Sequence, residues 1–453
     1  MSTVLITNTT SNPVTINFEV IGGYSTNNIA NISAPDNYSL VTNTYMKYDY
    51  ETLSMFVDGV RVNELDTTKK YNLLSSSCTN NETVSWDTSS NDLTIHSATE
   101  QTKCQLYFEE AKPTLTEKIL ADNTVTSDAS INFAAISSES NGQGLYYTSD
   151  LSKTEGGQRV YYYRGAVTDN YVQFAGFCWK IVRTNEDGSV KLMYWGPKNG
   201  ESCSTTASMP SSLTGKAFNT SFNDNRYVGY MYGTSCNDYS SCHTNTTDST
   251  IKGLIDTWYD TNIANEYRSK IANTIYCNDR TMGNSGTIDS TSYGTLGYGT
   301  NNTLYAAARR LGTGGPTGTT LSSANASPQY NCPNDERDGF TLKVASGGTE
   351  GYGNNALDYP VGLLTADEIS YAGGAYGSGY NTFFLYTGSD YWTMSPFNLV
   401  RSYTRGWLVS SGGSFGGNSV SGTSPGAFPV ISINSSALVS SGDGHASTPY
   451  IIQ

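Results

Sequence analysis

The chain has 453 residues, of which only 15% are charged, while 45 are glycine and 34 are tyrosine. Because ordinary globular domains carry roughly 25% charged residues, we expect a polar but largely uncharged surface, as in a β-rich protein displayed outside a cell or on a particle. The formal charge of -14 repels phosphate groups, so a nucleic-acid partner is not expected. The sequence contains neither an apolar run long enough to cross a membrane nor an ordinary export signal, so membrane insertion is not expected.

Residues 1–111 predict strands throughout, since apolar and polar positions alternate between turns rich in Gly, Asn, Asp and Ser. Asp58 and Gly59 lie between apolar residues and indicate a tight hairpin. We expect a small β-sandwich with Trp86 and Leu93 in its core. Such an N-terminal piece is predicted to be an anchor or spacer domain.

A change in the residue pattern near residue 112, from strand-like alternation to helical spacing, predicts a domain boundary. Residues 112–135 are interpreted as a linker with a short helix, in which Leu115, Ile119 and Leu120 share one face. Residues 136–453 then form the second predicted domain. Its first strands are expected at 160–163, 174–182 and 190–195, the last two joined by a turn over residues 185–188.

Helices are predicted at three places in this second domain. Apolar residues from Ile251 to Tyr259 recur at helical spacing behind the cap candidates Asp248 and Ser249, and a short helix is expected within residues 263–275. Residues 365–368 form a capping box that opens a short helix, which Gly373 and Gly374 end. The predicted fold class is therefore α+β, with two or three helices on an antiparallel sheet and long loops over residues 283–303 and 410–427.

The eight cysteines suggest four disulfides between sequence neighbours, which favours an extracellular setting. Eight cysteines allow 105 connectivities, so the local pairing is a hypothesis, and free thiols in a protein assembled in a reducing cytoplasm are the alternative. The predicted pairs are Cys78 with Cys104, Cys178 with Cys203, Cys236 with Cys242, and Cys277 with Cys332.

Several segments carry a resemblance to a known group of proteins. They are KILADN and VYYYRGAVTDNYVQFAGFCWKIVRTNEDGSVKLMYWG within residues 118–196, VGYMYG at 228–233, IYCNDR at 275–280, YPVGLLTADEISYAGG at 359–374, YWTMSP at 391–396, and PVISI, SGDG and PYII near the end. Together they resemble a large uncharacterised family of surface proteins from low-GC Gram-positive gut bacteria and their phages. The resemblance covers residues 113–453.

The closing part of the chain, with Trp392, Trp407, a Gly-rich loop and the PVISI strand, looks like a C-type-lectin-like fold. That fold also occurs in formylglycine-generating enzymes and in the variable tip proteins of phages that carry diversity-generating retroelements. The resemblance therefore implies a C-type-lectin-like domain over residues 136–453. Fold alone does not establish function, so the residues must distinguish these relatives.

The residues do not favour catalysis or a metal site. The Glu-Pro-Asn and Trp-Asn-Asp signatures of calcium-dependent lectins are absent, and Asp390 is the only acidic residue between positions 383 and 428. No cofactor is predicted, with calcium as the alternative. The three histidines, His96, His243 and His445, show no ligand spacing or nucleophile motif, and the last cysteine lies before the segment where formylglycine-generating enzymes place their cysteine pair.

An enzyme is therefore not predicted. A glycan-active enzyme remains an alternative, because a glycosidase needs two carboxylates in one cleft and the chain contains candidates. Asp367 and Glu368 are instead interpreted as residues of a first helical turn, where the helix dipole favours negative charge. The four candidates are Asp256, Asp260, Asp367 and Glu368.

The positive functional signal is the segment from position 391 to 428. Trp392 and Trp407 are predicted to be structural, while their neighbours combine large amphipathic side chains with small polar ones, as binding loops do. We expect the first group of ligand-binding residues between two strands and the second in the following Gly-rich turn. The first group is Asn398, Leu399, Arg401, Tyr403 and Arg405, and the second is Ser414, Phe415, Asn418 and Ser419.

These observations predict a receptor-binding or host-adhesion protein of a phage tail or capsid fibre, located on the virion surface. Its expected partners are a host cell-surface glycan or protein and other virion structural proteins, and the expected assembly is a homotrimer. The first alternative is a bacterial cell-surface adhesin of the same family, which would be extracellular. The second alternative is the glycan-active enzyme.

Overall fold

The fold is that of a computed structural model. It describes residues 53–98, 102–204, 209–210, 213–283, 295–312, 326–343, 353–377, 379 and 382–453, together with the backbone of four earlier strands. The chain divides into two compact units, Met1–Lys112 and Pro113–Gln453. Among the helices within these ranges, none has the length and apolar character needed to span a membrane.

The first unit is built from strands. They form two four-stranded sheets, in the orders β4-β1-β9-β8 and β6-β5-β10-β7, and a β2-β3 hairpin. The strands are β1 (Ser2–Thr7), β2 (Val14–Phe18), β3 (Asn28–Ile32), β4 (Asn37–Thr42), β5 (Leu53–Val57), β6 (Val60–Val62), β7 (Tyr71–Cys78), β8 (Thr83–Asp87), β9 (Asp92–His96) and β10 (Cys104–Glu110).

Both four-stranded sheets contribute to one buried cluster, in which Leu93 and Ile95 of β9 join Leu106 and Phe108 of β10. Leu93 is buried as predicted. Trp86 is only partly buried, and its indole packs edge-on against Phe108 with 4.7 Å between ring centroids.

The hairpin between β5 and β6 turns through Asp58 and Gly59, whose φ angles are 50° and 78°. Both residues are in the left-handed region that a tight hairpin turn requires. The predicted Asp-Gly hairpin is therefore confirmed.

The second unit mixes sheets and helices, which confirms the α+β class. Its strands are β11 (Val125–Ser127), β12 (Gly144–Tyr147), β13 (Tyr161–Arg164), β14 (Tyr171–Phe174), β15 (Phe177–Thr184), β16 (Val190–Pro197), β17 (Met231–Tyr232), β18 (Thr247–Asp248), β19 (Tyr276–Cys277), β20 (Thr303–Leu304), β21 (Gly339–Phe340), β22 (Tyr391–Val400), β23 (Tyr403–Val409), β24 (Phe415–Ser419), β25 (Val430–Ile433), β26 (Val439–Ser441) and β27 (Tyr450–Ile452). Its helices are α1 (Leu115–Asp122), α2 (Tyr239–Cys242), α3 (Thr250–Asn262), α4 (Asn265–Arg268), α5 (Ala306–Gly312), α6 (Asp335–Asp338) and α7 (Ala366–Ala372).

The large sheet of this unit has nine strands and centres on the β15-β16 hairpin. One edge of β15 pairs with β14 and β13, and the far edge of β16 pairs with β25. The β11-β12 and β14-β27 pairs are parallel, so the sheet is mixed and the expectation of an antiparallel sheet is wrong for these strands.

The predicted strand over 174–182 is also two strands rather than one. Ala175 and Gly176 have φ angles of 51° and 83° and form a tight turn between β14 and β15. An alanine in the left-handed region gives no turn signal, because only Gly, Asn and Asp visit that region routinely.

The helices follow their capping signals. Thr114 and Glu117 form a capping box at the start of α1, and the buried Leu115 and Ile119 place this helix in the core of the second unit. Residues 113–135, predicted as a linker, thus fold as part of that unit. Ser249 caps α3 as predicted, whereas the helix expected within 263–275 is confined to the four residues of α4.

Helix α7 begins and ends where the sequence predicts. Thr365 and Glu368 form the capping box, and Gly373 ends the helix with a φ of 125°. Next to α7 lies a four-stranded sheet in the order β20-β22-β23-β24. Strand β24 falls within residues 410–427, so the prediction of a loop is wrong there. Of the loop predicted over 283–303, residues 284–294 lie outside the described residues.

All four predicted disulfides are confirmed. They join Cys78 to Cys104, Cys178 to Cys203, Cys236 to Cys242, and Cys277 to Cys332. Each pair joins sequence neighbours, the widest separation being 55 residues.

Candidate functional site

A two-residue turn connects β22 to β23 and projects from the four-stranded sheet. Val400 pairs with Tyr403, and the residues between them, Arg401 and Ser402, have φ angles of 53° and 63°. Such turns favour Asn-Gly, because other side chains are strained at positive φ. The Arg401 backbone N–H donates to Oδ1 of Asn302 at 3.0 Å. The turn thus holds the exposed Arg401 and Ser402 in a strained, defined conformation.

Directly after this turn, Tyr403 presents an aromatic ring to solvent. Its side chain is 51% exposed, and the ring stacks on Phe222 with 5.1 Å between centroids and an angle of 18° between planes. The next residue, Thr404, attaches β23 to the segment that contains Phe222, since the Thr404 N–H donates to the Phe222 carbonyl at 2.7 Å. Tyr403 therefore rests on a rigid aromatic support. The sequence offers no signal for Phe222, which is far away along the chain.

Arg405 lies farther along β23 and is half-buried, close enough to Tyr376 for its charge to act on that hydroxyl. Burial raises the pKa of the Tyr376 hydroxyl, and the positive charge of Arg405 partly opposes this effect. The Tyr376 ring stacks on Phe397 at 6.2 Å and meets Trp407 edge-on at 5.7 Å. The guanidinium of Arg405 makes no hydrogen bond or ion pair with the described residues.

Strand β24 supplies the polar edge beside Arg405. Ser419 pairs with Arg405 across the strands, and Asn418 is exposed next to it, its Oδ1 accepting the Ser419 N–H at 2.8 Å. Ser414 is also exposed but precedes the other end of this strand. We call the surface formed by Tyr376, Arg401, Tyr403, Arg405, Asn418 and Ser419 the recognition face.

Three of the predicted ligand-binding residues do not belong to this surface. Asn398, Leu399 and Phe415 are each at most 1% exposed. Asn398 and Leu399 lie inside β22 rather than between strands, and Phe415 packs against Trp407 at 4.5 Å. Because strands β22 to β24 are longer than the pattern suggests, these side chains enter the core and cannot contact a ligand at the surface.

The two tryptophans of this segment lie under the recognition face. Trp392 and Trp407 are 1% and 0% exposed. The Trp392 indole N–H donates to the Lys216 carbonyl at 3.0 Å, which ties β22 to the loop that precedes Phe218. Both indoles thus support the sheet, as expected of structural residues.

A polar cleft elsewhere in the second unit is the other candidate site. Buried ion pairs form its floor: Glu368 accepts hydrogen bonds from Arg183 at 2.9 Å and from Lys191 at 2.8 Å. Burial alone would raise the pKa of Glu368, but Lys191 and Arg183 outweigh it and lower the pKa to about 2. The lining residues are Glu155, Arg183, Asn185, Glu186, Lys191, Thr274, Ile275, Cys277, Asp279, Arg310, Gln329, Tyr330, Asn331, Thr365, Asp367, Glu368 and Ser395.

Asp367 is also fully paired in this cleft. Arg310 donates to both of its carboxylate oxygens, at 2.6 and 2.7 Å, and reaches Asp279 at 2.7 Å. The other two predicted carboxylates are ion-paired outside the cleft, Asp256 with Lys252 at 2.6 Å and Asp260 with Arg268 at 2.9 Å. The four carboxylates considered for glycan hydrolysis are therefore not brought together as a catalytic pair.

Two further carboxylates line the same cleft. Burial raises the pKa of Glu155, whose side chain accepts the backbone N–H of Cys332. Glu186 accepts the N–H of Glu155 at 3.2 Å and forms an ion pair with Arg183 at 3.4 Å. Sequence reasoning missed this pair, because its members are distant along the chain and follow no motif.

Potential metal ligands lie close together at one place in the described part of the chain. Oxygen of Asp224 and the sulfurs of Cys236 and Cys242 are within 4.8 Å of one another, but the two cysteines share a disulfide and offer no thiolate. His243, the neighbour of Cys242, is fully buried, and burial holds its pKa well below the ordinary value. A protonated His243 is therefore disfavoured at neutral pH.

No protein family model, no curated protein and no solved structure matches this chain. The resemblance of its closing residues to C-type-lectin-like proteins therefore stays a prediction.

Proposed function

We propose that the chain is a receptor-binding or host-adhesion protein of a phage particle, and that the recognition face of the second unit contacts a host cell-surface glycan or protein. The observation that carries the proposal is the strained turn at Arg401 and Ser402 beside the exposed Tyr403. Backbone strain of this kind persists only where the surrounding structure enforces it, and it concentrates at functional sites.

The composition of the recognition face also supports binding. Tyrosine and arginine are enriched among residues that dominate binding energy, while asparagine and serine supply adaptable hydrogen bonds. Tyr403 rests on Phe222 and Tyr376 on Phe397, so both rings are already ordered. A surface ordered before contact loses less conformational entropy on binding.

The second unit is proposed to have a C-type-lectin-like fold, and the first unit to attach the protein to other virion structural proteins. A homotrimer is the proposed assembly, on the virion surface. No catalytic activity and no bound cofactor are part of this proposal.

The proposal is tested by measuring binding of the fluorescently labelled protein to intact low-GC Gram-positive gut bacteria. Tyr403→Ala is expected to weaken binding at least about tenfold, as loss of one strongly contributing contact does. Leu151→Ala is the matched control, since Leu151 is 40% exposed in the same unit but outside the recognition face. Absence of binding by the unmodified protein across a broad strain panel, or equal loss in both variants, would contradict the proposal.

The four disulfides favour one alternative, in which the same binding activity belongs to a bacterial surface protein and not to a phage particle. Disulfides form and persist in oxidising compartments and are rare in proteins that mature in the cytoplasm, so a bacterial surface adhesin accounts for them directly. Mass spectrometry of purified virions and of washed cell envelopes distinguishes the two. Recovery of the protein with the envelope alone would establish the adhesin.

The polar cleft favours a second candidate function, the turnover of a surface glycan. Glu155, whose pKa is raised by burial, lies next to Glu186, which is ion-paired with Arg183. Two neighbouring carboxyl groups, one of them with a raised pKa, are the arrangement that glycosidases use. Release of reducing ends from cell-wall glycans that disappears in both Glu155→Gln and Glu186→Gln would establish this activity.

A further inference from the structure

We infer that the ligand of the recognition face carries negatively charged groups, namely the carboxylates or phosphates of a cell-surface polysaccharide. This inference rests on the proposed function and specifies the ligand of the same site.

The charges near the recognition face are the first reason. Arg401 and Arg405 are the only charged residues in the sequence between Asp390 and Asp443. In a chain with a formal charge of -14, this segment carries positive charge alone. Because fields of opposite sign steer partners together, a positively charged segment on an acidic protein favours an anionic partner.

The second reason is the environment of Arg405. The half-buried arginines of the polar cleft and its surroundings are ion-paired, as Arg310 is with Asp367 and Arg337 is with Asp338. The guanidinium of Arg405 is half-buried as well, yet no carboxylate among the described residues pairs with it. Guanidinium groups bind carboxylate and phosphate through two parallel hydrogen bonds. An anionic ligand group would supply the missing counter-ion.

The aromatic rings of the recognition face favour a sugar polymer over an acidic protein. Tyr403 exposes a ring backed by Phe222, and Tyr376 lies beside Arg405. The C–H face of a sugar ring packs well against such a ring, and the tyrosine hydroxyl adds a polar contact.

The experiment measures binding of the full-length protein to immobilised polysaccharides by biolayer interferometry. The probes are a uronic-acid polymer, a glycerol-phosphate polymer and neutral dextran. We expect binding to at least one of the two anionic polymers and at least tenfold weaker binding to dextran. The two anionic arms distinguish a carboxylate ligand from a phosphate ligand.

Arg405→Gln is the test variant, and Arg159→Gln is its matched control. Arg159 is exposed in the same unit and lies 4.3 Å from the Tyr147 ring, so both variants remove one positive charge beside a tyrosine. Arg405→Gln is expected to weaken binding to the anionic polymer at least fivefold, while Arg159→Gln leaves it within twofold. This difference between variants should narrow as salt rises from 50 to 500 mM, since salt screens the charge of Arg405. If Arg405→Gln folds poorly, binding of the unmodified protein to the anionic polymer should still weaken as salt rises, and binding that does not change with salt would overturn the inference.

Failure of this inference differs from failure of the proposed function. One outcome would overturn the anionic ligand and leave the recognition face intact. In that outcome Tyr403→Ala abolishes binding to cells, but neither anionic polymer competes with that binding and Arg405→Gln does not weaken it. Cell binding that disappears after protease treatment of the cells would identify a protein ligand and also overturn it. Absence of cell binding by the unmodified protein would remove the proposed function itself.

Discussion

The strain in the turn of the recognition face leads to a prediction in which stability and binding change in opposite directions. Arg401 and Ser402 both have positive φ, which costs about 1–2 kcal/mol for each such residue. The double substitution Arg401→Asn with Ser402→Gly places the preferred Asn-Gly pair in this turn and relieves most of that cost. The added flexibility of glycine in the unfolded chain lowers the free energy of unfolding by about 0.5–1 kcal/mol. Loss of the side-chain contacts of the exposed Arg401 lowers it by about 0–1 kcal/mol more. The net gain is about 1–2 kcal/mol.

This gain should raise the melting temperature of the second unit by roughly 1–3 °C, as followed by calorimetry. Binding to cells should fall at the same time, because the arginine side chain is gone while the turn keeps its shape. The control is Ser402→Gly alone, which relieves part of the strain and keeps Arg401. It should stabilise the protein and leave binding nearly unchanged.

Two results would refute this reasoning. A double variant that melts at or below the temperature of the unmodified protein would show that the turn is not strained. A double variant that is more stable and binds cells as tightly as before would show that the turn takes no part in recognition.

Three further predictions concern the scaffold. Glu368→Gln should lower the free energy of unfolding by about 3–5 kcal/mol in urea titrations, because Arg183 and Lys191 then remain buried without their carboxylate. The pKa of Glu368 is lowered from 4.5 to about 2 by folding, so its contribution is complete above pH 4.5 and is lost as pH falls towards 2. That acid-dependent loss, about 3 kcal/mol, should be absent in Glu368→Gln, and an identical acid profile for both proteins would contradict it. Gly417→Ala should destabilise by about 1–3 kcal/mol in the same titrations, since its Cβ would lie 2.3 Å from the Phe397 ring, whereas Gly416→Ala, with its nearest contact at 3.7 Å, should be nearly neutral.

The parts of the fold that could be predicted from sequence are those encoded by neighbouring residues. A capping box, an Asp-Gly hairpin and a short disulfide loop each depend on side chains within a few positions of one another. The starts of α3 and α7 and all four disulfides were predictable for that reason. The amphipathic spacing of Leu115 and Ile119 likewise marks the buried face of α1.

The errors arise where local signals are weak. Ala175 occupies a turn conformation that alanine rarely adopts, so one predicted strand became two. The Gly-rich run at Gly416 and Gly417 suggests a loop, yet it forms a strand because Gly417 makes room for the Phe397 ring. Glycine therefore indicates close packing here rather than flexibility.

The site was predictable only in part for a different reason. Arg401, Tyr403 and Arg405 lie on one hairpin, so their sequence proximity already places them together. Phe222 and Tyr376 join them from separate segments, and only tertiary structure shows that they support or extend the recognition face. Conversely, β22 is buried on both faces, so the period-two alternation of a half-buried strand does not apply there, and the sequence could not show that the consecutive residues Asn398 and Leu399 are both inside.

The polar cleft and the recognition face are connected through β22, which suggests a structural purpose for the buried charges. Ser395 of this strand lines the cleft and accepts the Ala366 N–H at 2.9 Å, while the Met394 N–H donates to the Leu364 carbonyl at 2.7 Å. These bonds attach β22 to the start of α7, whose Glu368 is held by Arg183 and Lys191 of the large sheet. Buried ion pairs are weak sources of stability but can fix the register of the elements that they join. The same strand then runs to Val400 and the strained turn, so the ion pairs hold in place the hairpin that presents Tyr403 and Arg405. We therefore expect Glu368→Gln, if it remains folded, to weaken cell binding as well as stability, although Glu368 lies outside the recognition face.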